Sequence, residues 1–144
     1  MSLISGTYSD GDSVKRFIDT DLYDASTLSA DIAAQADLAR DEVNTFIGRE
    51  ANFTTTELAE VKNKGIVLAA SRLTAYFMEL RRQERQGRIA EDTKIDRDDA
   101  FKTLERWMLN NGLTPPSRKA GTSNVPREIL AVYTGEEYSI GGRL

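Results

Sequence analysis

The sequence contains no cysteine and no histidine. The first absence excludes disulfides, a thiolate nucleophile and a zinc–thiolate centre. The second removes the usual general base near neutral pH and the commonest metal ligand. Ser-His-Asp, Cys-His and histidine-metal sites are therefore impossible. Any chemistry would have to rest on carboxylates, lysine, tyrosine or a bound metal. The phosphate-loop pattern GxxxxGK, the dinucleotide pattern GxGxxG and the metalloprotease pattern HExxH are also missing.

A long apolar run is missing as well. A membrane span needs roughly 20 consecutive apolar residues. The best stretch, GIVLAASRLTAYFMEL at 65–80, is interrupted by Arg72 and Glu79. The opening MSLISGTYSDGDS has neither a basic n-region nor an apolar core, so no signal peptide is predicted. These features predict a protein made in the cytoplasm, with no membrane partner.

What is present fits one folded domain: 144 residues, 40% hydrophobic and 29% charged, with a net charge of −4. That sign disfavours a freestanding nucleic-acid binder, which is usually basic. It does not forbid a local basic patch.

Periodicity predicts an all-α chain. Residues 1–12, rich in Gly, Ser and Asp, read as a loose lead-in, with Asp10-Gly11-Asp12 as a turn. Ser13–Thr20 reads as a short helix, with Val14, Phe17 and Ile18 on one face. From about Ser26 to Ile47, Leu28, Ile32, Ala36, Ala39, Val43 and Phe46 or Ile47 form a stripe, and Gly48 is a C-cap. Gln35 and Asn44 fall on the opposite, wet face.

Thr55 or Thr56 would cap a third helix running to Gln86, about 30 residues and ~45 Å long. Its stripe is Leu58, Val61, Ile66, Ala69, Leu73, Phe77 and Leu80. Val67, Leu68, Ala70, Tyr76 and Met78 are apolar too, so little of this helix is polar enough to face water. Its remaining sides are covered either by the chain's own helices or by another subunit. After a polar connection, GRIAEDTKI, Asp96 reads as the N-cap of a last helix to about Asn110, ended by Gly112. Trp107 and Phe101 read as core residues.

Pro115, Pro116 and Pro126 mark a linker. Beyond it, EILAVY and YSI are strand-like, joined by a TGEE turn. The chain thus divides into a helical domain, 1–112, and a linker with a C-terminal arm, 113–144. On the arm, Ile129, Leu130, Val132, Tyr133, Tyr138 and Ile140 are the candidate partner-binding residues. Rigid, partly polar aromatics suit an interface.

Three features together resemble the head–tail connector, or adaptor, proteins of tailed phages and related archaeal viruses. They are an alanine-bearing helix ending in Ile47-Gly48-Arg49, a long helix with Ala69-Ser71-Arg72-Leu73-Tyr76, and a last helix with acidic start and aromatic stripe from Asp98 to Met108. The resemblance covers about residues 13–110. It implies a small bundle of about four helices around a long apolar one, repeated as a ring, commonly of twelve copies. It implies a place in the virion neck, between the portal and a stopper or tail-completion protein. DNA would pass through the ring without sequence-specific contact. It implies no catalytic residues; no cofactor and no metal are expected.

Two charge clusters compete with that reading. Arg81, Arg82, Arg85 and Arg88 could be a solvated helix end, a contact to a portal or neighbouring subunit, or a DNA contact. The last would be a contact to DNA phosphate in the channel or, in an alternative reading, the basic run of a small helical DNA-binding regulator. Asp92, Asp96, Asp98 and Asp99 could suggest a metal-dependent enzyme. They lack the glycine and distal glutamate of a calcium loop, and helix capping explains them more simply.

Overall fold

In the computed structural model the described residues are 2–84 and 91–116, with backbone only for 91–96. The described residues up to Asn111 belong to one compact unit. The expectations for Ile129, Leu130, Val132, Tyr133, Tyr138 and Ile140, and for Arg85 and Arg88, lie outside the described residues. Among the described residues the regular structure is helical apart from one isolated bridge, Leu3 with Asp10. The helices are α1 (Gly11–Phe17), α2 (Leu28–Ile47), α3 (Thr55–Ala59), α4 (Lys64–Glu84) and α5 (Glu91–Asn110).

The N-terminal segment corrects the expectation of a loose lead-in. Ile4 N–H donates to Ser9 O (3.0 Å) and Gly11 N–H to Ser2 O (2.9 Å), around a turn with Gly6 at φ 76°. Tyr8 is 1% exposed. Its ring meets Phe53 edge-on at 5.4 Å. Two α4 hydroxyls receive the segment: Ser71 Oγ accepts from Asp10 N–H (2.9 Å), and Thr74 Oγ1 lies 2.7 Å from Ser9 Oγ. Polar Ser9 and Asp10 can be buried because these partners satisfy them, and Thr7 because its Oγ1–H donates to Ile4 O at 2.9 Å. Asp10 is an N-cap rather than a turn residue; its carboxylate accepts from Asp12 N–H and Ser13 Oγ–H.

In α2 the predicted stripe is observed: Ile32, Ala36, Ala39, Val43 and Ile47 are buried. Gly48 adopts φ 74°, ψ 32°, and Arg49 N–H closes on Asn44 O at 2.9 Å, a Schellman ending. Gln35 and Asn44, expected on the wet face, are buried. Asn44 is recruited by the N-terminal segment: its Oδ1 accepts from Tyr8 Oη–H at 2.8 Å.

The predicted third helix is two helices. Thr54, not Thr55 or Thr56, caps α3. Its hydroxyl accepts from Glu57 N–H (3.1 Å) while Glu57 Oε1 accepts from Thr54 N–H (2.8 Å), a capping box. Glu60 then turns extended at ψ 142°, and a 3-10 turn at Val61–Asn63 leads into α4. Asn63 accounts for the break. Its Nδ2 donates to Glu57 O (2.8 Å), a side-chain partner beside the Glu60 N–H (3.1 Å) where a continuing α-helix would supply the Val61 N–H. Its Oδ1 accepts from Trp107 Nε1–H (3.1 Å). Val61, expected in the core stripe, is consequently 76% exposed.

Helix α4 packs against α5, α2 and α1. Ile66, Ala69, Ala70, Leu73 and Ala75 are buried, so the chain's own helices supply most of the cover. The side of α4 left partly open carries Leu68, Arg72, Tyr76 and Leu80, four residues apart. Helix α5 begins at Glu91, so Asp96 lies within it and does not cap it. Glu91 and Asp92 offer an earlier acidic first turn, which suits the helix dipole equally well. Ala100, Leu104, Trp107 and Met108 are buried, and Phe101 stacks on Phe46 at 4.9 Å.

Candidate functional site

The described half of the arginine run lies at the C-terminal end of α4. Arg82 is committed internally: its Nη2 lies 2.9 Å from Glu79 Oε1, one helical turn earlier. Tyr23 Oη–H donates to Glu79 Oε2, and Gln83 Nε2 donates to Oε1 at 3.4 Å. Tyr23 is positioned by the 3-10 turn Thr20–Leu22, capped by Asp19, and by Asp24, which accepts from Ser26 N–H and Oγ–H. Burial works to raise the Glu79 carboxyl, but the hydrogen bonds from Arg82 and Tyr23 and the Arg82 charge outweigh it and hold the pKa low. Burial and the neighbouring Glu79 carboxylate push the Tyr23 phenol well above its ordinary value. A buried-side carboxylate is thereby kept ionised, with its charge matched.

Beside this cluster is an open cleft of about 380 Å³. Leu22 and Met78 give it apolar walls, Asp24 and Asp31 bring carboxylates, and Arg81 and Arg82 bring guanidiniums. Gln35 also lines it, although only 3% of that residue is exposed. Among the described residues the Gln35 side chain has no hydrogen-bond partner. Arg81 is exposed and likewise has no ion pair among them. The cleft is therefore built to hold something polar, with one buried amide and one guanidinium uncommitted.

Other candidates are structural. Around the Ile47-Gly48-Arg49 turn a second hollow of about 270 Å³ is lined by Phe53 and Trp107. Arg49 closes it: the guanidinium sits 3.8 Å from the Phe53 ring centroid, pairs with Glu57 at 3.6 Å and donates to Ala51 O at 2.7 Å. Arg72 lies over Phe17 at 4.7 Å and reaches Asp99 at 3.9 Å. Among the described residues no group of three acidic side chains could hold a metal ion. No helix there is long and apolar enough to cross a membrane.

Of the predicted site residues, Arg81 and Arg82 come together at the cleft. Sequence reasoning missed Tyr23, Gln35 and Glu79. Glu79 did leave a signal, as a lone acid inside an apolar run, and Tyr23 as a lone aromatic in a polar stretch. No protein family, curated protein or solved structure matches the chain.

Proposed function

We propose that this chain is a structural protein of a virus neck: a helical adaptor that forms a ring between the portal and the stopper or tail, around the DNA channel. The carrying observation is the agreement between the adaptor-like sequence pattern and the helices that bear it. The Ile47-Gly48-Arg49 turn closes α2, Ala69, Leu73 and Ser71 lie in the core face of α4, and α5 presents Leu104, Trp107 and Met108 to it. The partly open Leu68–Arg72–Tyr76–Leu80 side of α4 supplies a face for a neighbouring copy. In a ring each subunit would use two different faces. Residues 113–144 act as an arm onto the portal or the next subunit. In this reading the chain catalyses nothing, and its place is the virion neck.

The alternative, a DNA-binding regulator, is weaker on the same geometry. Arg82 is spent on Glu79, and Asp24 and Asp31 share the cleft with Arg81. The test begins with the genes flanking its own. Neighbours encoding a portal, a shell and tail components support the adaptor reading; metabolic or regulatory neighbours overturn it. Mixing the purified chain with that portal should then give rings by electron microscopy. Deleting 113–144 should leave helix content nearly unchanged and abolish portal binding; retained binding removes the arm from the account.

A further inference from the structure

The orphaned amide of Gln35 points to a ligand. A primary amide offers two N–H donors and a carbonyl acceptor, the complement of a peptide group. Leaving it buried and unpaired is costly, and native structures rarely do so without a reason. Here Gln35 lines an open cleft whose other uncommitted group is the Arg81 guanidinium, a fork matched to a carboxylate. Asp24 and Asp31 line the same cleft and would repel a polyanion such as a nucleic-acid backbone. A ligand that carries both signs satisfies all of them. The volume, about 380 Å³, suits a short segment and lies near the small end of ligand clefts, about 300–1,000 Å³.

We propose that this cleft is a binding site for a short, extended peptide segment of mixed charge, presented by a partner protein. Its peptide group pairs with Gln35, its carboxylate with Arg81, and its cation with Asp24 and Asp31. Leu22 and Met78 pack against the segment's aliphatic stems. The Tyr23–Glu79–Arg82 cluster holds one wall in place but is electrically closed, so Arg81 is the cation that reads the ligand. The proposal stands on the cleft and does not require the neck-adaptor reading.

The experiment uses the full chain, labelled with nitrogen-15, and the capped tripeptide acetyl-Glu-Gly-Lys-amide. Titration should move the Gln35 side-chain amide pair and the Arg81 Nε–H saturably. Oligothymidylate at equal molar concentration should leave both unmoved. No movement with the tripeptide, or equal movement with oligothymidylate, overturns the proposal. Gln35→Leu should raise the melting temperature, because an unpaired amide is removed, and weaken the tripeptide at least tenfold as read at Arg81. A lowered melting temperature would instead mark the amide as an ordinary structural group and sink the idea. Arg81→Glu, on the exposed helix end, keeps the fold intact and should abolish the Gln35 shift; an undiminished shift also counts against the proposal.

Discussion

The Tyr8 hydroxyl donates to Asn44 Oδ1 at 2.8 Å and accepts the Phe53 N–H at 2.9 Å. One phenol thus ties the N-terminal segment to the end of α2 and to the loop before α3. Tyr8→Phe keeps the ring but strands a buried amide oxygen and a buried backbone donor. Each stranded group costs about 1–3 kcal/mol. Denaturant unfolding followed by circular dichroism should show a lower midpoint with an unchanged slope; an unchanged midpoint would mean that water replaces the hydroxyl.

Thr74→Val should be costly for a reason other than volume. It leaves the buried Ser9 Oγ without its partner, at about 1–3 kcal/mol. Adding Ser9→Ala should recover part of that loss, since the pair is then removed together. A double-mutant cycle checks this: strictly additive losses would show that the two hydroxyls are uncoupled.

Leu73 is fully buried, whereas Phe77 is only partly so. Both sat on the predicted core stripe, but the two positions should separate on mutation. Leu73→Asp buries an unpaired charge and should abolish the cooperative melt. Phe77→Asp can turn towards solvent and should leave a cooperative, destabilised melt.

Glu79 and Tyr23 set opposite pH limits. The folded Glu79 pKa lies below its ordinary 4.5, so its stabilisation is complete above about pH 4.5 and is lost as pH falls through the folded value. The folded Tyr23 pKa lies above its ordinary 10.0, so its stabilisation is complete below pH 10.0 and is lost as pH rises towards the folded value. Glu79→Gln should flatten the acid limb of a melting-temperature–pH curve, and Tyr23→Phe the alkaline limb. Curves parallel to the parent's would disprove this assignment.

Gly48→Ala isolates backbone strain. A Cβ at Gly48 meets nothing within 4 Å, so no clash contributes. The left-handed φ of 74° should cost about 1–2 kcal/mol in an equilibrium unfolding measurement.

The legible parts were those governed by helical period and by single capping residues: the α2 stripe, the Gly48 ending and the place of Trp107 in the core. The parts that were not legible depend on partners distant in sequence. Nothing local shows that Asn63 will bind Trp107, 44 positions away, and so interrupt a helix whose apolar pattern continues. Nothing local shows that Ser71 and Thr74 will receive the N-terminal segment 61 and 65 positions away. The cleft was half visible, through Arg81 and Arg82. Gln35 was hidden because an amphipathic pattern places a glutamine outside, and only the packed 3-10 turn and the end of α4 enclose it.

The two hydroxyls on α4 have a further effect. Each has one proton, and both are spent within the helix: Ser71 Oγ–H goes to Val67 O and Thr74 Oγ1–H to Ala70 O, each at 2.8 Å. Towards the N-terminal segment they can therefore only accept, which makes Ser9 the donor of its pair. If residues 2–10 lift away, no hydroxyl of α4 loses its own acceptor and the helix ladder stays whole. The winding of α4 therefore does not depend on whether the segment is seated. Amide hydrogens at Ile4 and Asp10 should thus trade with solvent deuterium well before those of mid-α4.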